Sequence, residues 1–301
     1  MVLILYYVKI IIKKLFLADS IDKYLEKIIV GYYRLFPRKK AGIRERHARR
    51  KVIISLTTIP DRVGKVWITI ESLLRQTYKP DEIILWLAKD EFANVIIPER
   101  LHEQEKRGLV IRYCDNLKSY KKFYYTAAEN PDAYIVTVDD DIIYAENLLE
   151  NLVKAYRKNP GCIICTRSHR MVKRNGRLLP YNSWITYEQR EEISETPTYQ
   201  NFFIGCGGTL FPMFLMGRKS LLDKDVFMDI APTADDVWLN FNAWTSGLKV
   251  KNLQSILGSL ILIESSSKKG LYETNLNRNK NDDQIRRVVD YLGINIDKYI
   301  N

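Results

Sequence analysis

Four cysteines in 301 residues, at positions 114, 162, 165 and 206, are too few and too irregularly spaced for a disulfide framework, and they suit a reducing compartment. Cys162 and Cys165 form a Cys-x-x-Cys pair, but Gly161-Cys-Ile-Ile-Cys-Thr166 reads as a strand. Residues three apart on a strand face opposite ways, so a shared metal there is disfavoured. No Gly-Lys-Ser/Thr and no Gly-x-Gly-x-x-Gly is present, which sets aside the common phosphate cradles. Long apolar runs are also missing. Met1 to Ile12 is interrupted by Lys9, closed by Lys13-Lys14 and short of the roughly 20 residues a spanning helix needs. No small-residue cleavage site follows it. Acidic residues are scarce at the start: residues 1–51 hold 14 Lys/Arg against 4 Asp/Glu, so this appendage carries +10 of the net charge of +11. A nucleic-acid-binding catalytic domain is therefore not expected, whereas an N-terminal foot that seeks an anionic surface is.

What is present centres on Tyr134-Ile-Val-Thr-Val-Asp-Asp-Asp-Ile-Ile-Tyr144. A β-branched run leading straight into three carboxylates reads as a buried strand ending in concentrated negative charge. Strand alternation would put Asp139 and Asp141 on one face and Asp140 on the other. Adjacent carboxylates repel unless a cation lies between them or one is protonated. Mg²⁺ and Mn²⁺ take such oxygen ligands and fill their shells with phosphate, so the pattern suggests a clamp for metal and diphosphate. The competing reading is a solvated acidic turn.

Around this stretch the chain alternates strands with helices. Apolar runs at Val52–Thr58, Glu82–Leu87, Leu109–Tyr113 and Cys162–Thr166 predict further strands. Helices are expected from Val66 to about Gln76, from Pro98 to Arg107, from Ser119 to Glu129, from Leu148 to Tyr156 and from about Asp283 to Leu292. This order implies an α/β fold of βαβ units with a mainly parallel central sheet, whose ligands bind beyond the carboxyl ends of the strands. Residues 167–200 show little apolar periodicity and read as a functional loop carrying His169, Tyr181, Trp184 and Tyr187; the aromatics suit a sugar face or equally a surface flap. Ile204-Gly-Cys-Gly-Gly-Thr209 allows a close backbone approach. In Thr233-Ala-Asp-Asp-Val-Trp-Leu239, Asp235 and Asp236 occupy the first turn of a helix running to about Trp244; capping explains one of them, and a second suggests a catalytic base. The run Lys268-Lys269 and the polar residues 275–281 read as a loop near the site or elsewhere. N-terminal to all of this, Leu17 to Tyr32 recurs at helical spacing with Ser20 as its N-cap and a basic run to Lys51 behind it. That segment suits the interface of an anionic bilayer, or else packs on the protein's own core.

In their order, Thr57-Thr-Ile-Pro-Asp-Arg62, Gln76-Thr-Tyr-Lys-Pro80, Asp139-Asp-Asp141, Gly205-Cys-Gly-Gly208 and Ala234-Asp-Asp-Val-Trp-Leu239 resemble glycosyltransferases of the nucleotide-diphospho-sugar (GT-A, Rossmann-like) fold. The nearest likeness is to bacterial enzymes of surface-polysaccharide assembly, with a more distant one to exostosin-type transferases. The resemblance covers roughly residues 52–290 and rests on the ordered combination. Charge and helical spacing give a basic amphipathic helical membrane-associating segment over 1–51, and the resemblance implies a transferase domain over 52–301, with a nucleotide-sugar half at 52–145 and an acceptor half with the C-terminal tail at 146–301.

It also implies that Asp139 and Asp141 hold Mn²⁺ or Mg²⁺, and that Thr57, Thr58, Arg62, Lys121, Lys122, Asp139 and Asp140 line the donor site. Asp236 and Asp235 would be catalytic, and Gly207, Gly208, Thr209, Trp184 and His169 would meet the acceptor. Many members add a late histidine or acid to the metal, whereas this chain has only His47, His102 and His169. The expected activity is hexosyl or N-acetylhexosaminyl transfer from a nucleotide-diphospho-sugar, a UDP-sugar, to a lipid-linked saccharide. The expected place is the cytoplasmic face of a bacterial inner membrane, in peripheral contact with it and with no nucleic-acid partner. The alternatives are a sugar nucleotidyltransferase, though Thr57 to Arg62 lacks the glycines that activity normally needs, and a non-catalytic saccharide-binding protein of the same fold.

Overall fold

Every side chain of Val52 to Leu56 is buried, as expected of a strand covered on both faces. In the computed structural model, which describes residues 1–16, 21–45, 49–253, 260–263 and 280–300, this strand, β1 (Val52–Thr57), lies inside a seven-stranded sheet. Ser20, His47, Lys268-Lys269 and residues 275–279 of the polar run lie outside the described residues. The parallel neighbours β2 (Glu82–Ala88), β3 (Leu109–Cys114) and β4 (Tyr134–Thr137) give the order β4-β1-β2-β3. Beyond the two-residue β5 (Ile142–Ile143) come β6 (Cys162–Cys165), the short β7 (Ser168–Arg170), the hairpin β8 (Lys173–Arg174) and β9 (Arg177–Leu178), and β10 (Asn201–Phe203). The sheet is completed by β11 (Thr209–Pro212) and β12 (Lys249–Asn252), in the order β12-β6-β11-β4. Only β11 runs antiparallel within it, pairing with β4 and β6. Its first residue, Thr209, therefore lies opposite Thr137, where β4 ends, and the glycine segment before it is delivered to the carboxyl rim.

Side-chain alternation along the strands divides the apolar residues into two cores. Ile54, Leu56, Leu85, Val136 and Ile164 face one layer, while Ile53, Ile84, Trp86, Ile135 and Phe211 face the other. The Cys-x-x-Cys pair obeys the same rule, with Cys162 in the first core and Cys165 in the second. The first layer includes α1 (Val2–Phe16), α2 (Ile21–Leu35), α4 (Val66–Leu74), which follows the single turn α3 (Pro60–Val63), and α8 (Leu148–Lys158). The second includes α7 (Lys121–Glu129), α11 (Asp235–Thr245) and the last helix, Lys280–Tyr291. Between these, α5 (Lys89–Phe92) and α6 (Glu99–Glu105) flank β3, and α9 (Arg218–Leu221) and α10 (Lys224–Ile230) lead into α11.

The amino-terminal helices are part of the first layer. Val2 and Tyr6 of α1, and Ile21, Leu25, Ile29 and Tyr33 of α2, are buried, and the Tyr6 hydroxyl donates to the Ile143 carbonyl at 2.8 Å. Lys9, which interrupts the apolar run in sequence, is buried and donates to Asp22 and the Leu260 carbonyl. Its charge is thus neutralised inside the layer. No described helix is long and apolar enough to cross a membrane. The segment 167–200 is more structured than its sequence suggests: β7 pairs with β10, and Arg170 bridges to Ile185.

Candidate active site

The site gathers at the rim where β1 and β4 end. Because β4 stops at Thr137, the three aspartates lie in a tight turn before β5, and the strict alternation of an extended strand no longer governs them. Asp139 points to α7, where the Lys122 ammonium lies 3.0 Å from its Oδ1. Asp140 and Asp141 instead share the Arg62 guanidinium, at 2.9 and 3.1 Å. Thr58 adds a 2.5 Å hydrogen bond to the second oxygen of Asp140. The turn is fixed from behind: Thr69 donates to the Asp140 carbonyl, and the Asp139 amide donates to the hydroxyl of buried Tyr144. Nothing in the sequence distinguishes Thr69 from an ordinary core residue, because it acts across a long chain separation.

Lys122 joins this cluster to the second acidic pair. Its ammonium also donates to the Gly205 carbonyl at 2.7 Å and lies 3.7 Å from Asp235. Burial alone would lower its pKa, but Asp139 and Asp235 outweigh burial and hold the amine charged. A methyl placed on Gly205 would sit 3.5 Å from that ammonium and 3.8 Å from Cβ of Asp236, so the glycine segment and the first turn of α11 meet here. Gly207 and Gly208 have φ of +88° and +107°, and a Cβ on Gly207 would come within 2.6 Å of Thr166 Oγ1. Glycine is required at both by backbone conformation.

The electrostatics follow from burial. Asp139 is pushed above the usual carboxylate range by burial, against the pull of Lys122. Burial and the neighbouring Asp139 and Asp140 raise Asp141 to about 6, with Arg62 opposing them. Asp236 rises to about 7 through burial and the charge of Asp235, partly offset by the Val237 amide from which its Oδ1 accepts. A carboxylate poised near neutrality can hold or release a proton under ordinary conditions.

Two observations bear on a metal. Oδ2 of Asp139 is buried with no hydrogen-bond partner, and Asp141 carries the like-charge strain that a cation relieves. Among the described residues, no three potential ligands come together. This oxygen donor set fits a hard divalent ion that leaves most of its shell to water and phosphate, rather than a closed protein cage.

Not every residue expected at the site reaches it. Lys121 turns away to Glu91 and Asn116, one helical step from Lys122. Thr57 donates to the Trp86 carbonyl. Thr209 is buried in β11. His169 and Trp184 are buried in the second layer, His169 between Tyr181 and Tyr187 and Trp184 against Phe202. Burial and nearby Arg167 lower the His169 pKa to about 4, so its imidazole is neutral.

The family model for glycosyl transferase family 2 matches residues 64–224, more than half of the chain. The protein belongs to that family and is a nucleotide-sugar glycosyltransferase with a GT-A architecture. Among curated proteins, none matches this chain in sequence. Among solved structures, the mannosyltransferase PcManGT from Pyrobaculum calidifontis, in complex with GDP-Man and Mn²⁺, is 12% identical with a TM-score of 0.49, over 91% of this chain and 72% of its own. Residues 1–349 of S. aureus TarS align at 14% identity and a TM-score of 0.42, over 67% of this chain and 58% of theirs. A 4-diphosphocytidyl-2C-methyl-D-erythritol synthase aligns at 10% and 0.42, over 76% of this chain and 99% of its own. These overlaps assign no residue a role.

Proposed function

We propose that the protein transfers a sugar from a nucleotide-diphosphate donor to the hydroxyl of a lipid-linked saccharide during assembly of a bacterial surface polysaccharide. The observation that carries the catalytic reading is Lys122. One buried cation bridges the strand-end aspartates, the glycine segment and the first turn of α11, so the diphosphate end and the acceptor end belong to one site. Asp139 and Asp141 would hold Mn²⁺ or Mg²⁺, which when bound supplies countercharge to the departing diphosphate. Arg62 and Lys122 add fixed positive charge beside it. The Asp236 carboxylate takes the proton of the acceptor hydroxyl, and Asp235 raises its basicity by proximity. Gly205, Gly207 and Gly208 bring backbone without side-chain bulk against the acceptor. The donor in this reading is a UDP-sugar.

The seating of the enzyme is read from its amino-terminal helices. Ile4, Tyr7 and Ile11 follow helical spacing along the outer face of α1, as do Tyr24, Ile28 and Leu35 on α2, and each is more than half exposed. Lys23, Lys27 and Arg34 flank the second row, and the basic run 38–51 follows it. Apolar rows bordered by cations suit the interface of an anionic bilayer. Residues 1–51 thus serve as a peripheral foot on the cytoplasmic face of the inner membrane, close to an acceptor that resides in the bilayer.

The test is a thermal-shift panel of nucleoside diphosphates, sugar nucleotides, nucleoside triphosphates and sugar phosphates, each with and without Mn²⁺. A ligand that binds the folded state raises its apparent stability. A shift confined to metal plus one nucleotide is expected. A folded sample that shifts with none of them would favour the non-catalytic saccharide binder, and a shift with nucleoside triphosphates and sugar phosphates instead would favour the nucleotidyltransferase.

A further inference from the structure

At the end of the sheet opposite the aspartates lies a cavity of about 280 Å³. Its position follows from the strands: Val52 opens β1 and Tyr134 opens β4, and both line it. Five residues of chain, roughly 16 Å when extended, separate Tyr134 from Asp139. The cavity is thus distinct from the transfer site, although β4 touches both.

Its lining is chemically specific. Arg49, Arg50 and Arg157 converge on it together with Tyr78, Tyr134 and Tyr156. Among the described residues, none of the three guanidinium groups has a carboxylate partner. Arg50 lies 3.7 Å over the Phe214 ring, which meets Tyr134 edge-on at 5.2 Å, and Tyr134 in turn meets Tyr156 at 4.9 Å. This ladder of rings fixes one wall. Arg157 stands in the last turn of α8, where a cation is favoured by the helix dipole, but the dipole does not account for two more arginines brought in by a separate segment. Three like charges around one cavity repel each other unless an anion sits among them. Guanidinium forks match the oxygens of a tetrahedral phosphate two at a time, and tyrosine hydroxyls add neutral donors. The volume lies near the lower end of small-ligand pockets, which suits a headgroup rather than a whole sugar nucleotide.

We propose that this arginine- and tyrosine-lined cavity is a second, non-catalytic site for a phosphate-bearing ligand, either a free phosphoester or the headgroup of a phospholipid. No bond is made or broken there. The site is filled independently of donor and metal.

The experiment uses the full chain in the presence of a chelator, so that metal-dependent binding at the aspartates does not contribute. Glycerol phosphate is titrated by calorimetry, and vesicles of phosphatidylglycerol or phosphatidylcholine are used in co-sedimentation. The variant Arg49→Gln/Arg157→Gln removes two exposed cations of the cavity; Lys39→Gln/Lys40→Gln removes the same charge outside it. Thermal unfolding verifies that both fold. Binding of glycerol phosphate that weakens about tenfold or more only in the cavity variant identifies a free phosphoester. Failure of the soluble compound, with vesicle binding lost about tenfold further in the cavity variant than in the control, identifies a lipid headgroup. Equal losses in the two variants, or no binding of either probe by the wild type, would overturn the proposal. Donor binding with Mn²⁺ is expected to be unchanged in the cavity variant, which separates this result from any failure of the transfer reading.

Discussion

The Lys122 ammonium lies 3.0 Å from Oδ1 of Asp139, and both side chains are largely removed from water. Removing one partner of such a pair strands the other charge in a poor solvent. Lys122→Met is therefore expected to cost about 3 to 5 kcal/mol in urea denaturation. Adding Asp139→Asn to the same chain should restore much of that loss, since the stranded carboxylate is then gone. If the single variant is as stable as the wild type, the pair is not coupled in the folded protein.

Asp236→Asn should retain metal-dependent donor binding and lose transfer by about 10²- to 10⁴-fold, the range for a positioned acid–base group. With Asp236 raised to about 7, the wild-type rate should rise with pH and level off above neutrality, because the base must be deprotonated. A pH–rate profile with no inflection near 7 would remove Asp236 from that role.

The same group makes an opposite prediction for stability. Its folded pKa exceeds the unfolded value, so the folded state binds more protons between about pH 4 and 7. Its contribution is complete below pH 4 and is lost as pH rises through about 7. Melting curves should show Asp236→Asn gaining on the wild type from pH 4.5 to pH 8; a constant difference would contradict this.

Gly207→Ala places a methyl group 2.6 Å from Thr166 Oγ1 at a φ of +88°. A loss of about 1 to 3 kcal/mol is expected, visible as a lowered Tm. Gly64→Ala, at ordinary helical φ and with open space around it, is the matched control and should be near neutral.

Ile4→Ser combined with Ile28→Ser removes two apolar side chains that are each more than half exposed. Sedimentation with anionic vesicles should fall, while transfer to a water-soluble acceptor stays at the wild-type rate. Undiminished vesicle binding would place the membrane contact elsewhere.

Much of the fold could be read in advance because its signals are local. Val52–Thr57 and Leu109–Cys114 are apolar runs of strand length, and Cys162 and Cys165 face opposite ways as their spacing requires. The strand-end aspartates and the acidic first turn of α11 were equally visible, since each lies within a few residues of chain. What escaped depends on distant partners. Lys9 looks like an interruption until Asp22 and Leu260 neutralise it. Lys121 and Lys122 are adjacent in sequence, yet the 100° step of a helix sends one to Glu91 and the other to Asp139. His169 and Trp184 stood out as polar aromatics in a loop, but the β7–β10 pairing buries His169 and the Arg170–Ile185 bridge holds the chain beside Trp184 against the second layer.

The reversed direction of β11 has a consequence for engineering. Leu210 and Phe211 occupy opposite cores, and Thr209 is held in register with Thr137. Inserting or deleting one residue between Ile204 and Thr209 would either bulge the loop into the site or slip the strand and exchange those two side chains between layers. Residues at this rim can therefore be changed by substitution, whereas loop grafts of a different length are expected to disrupt the sheet.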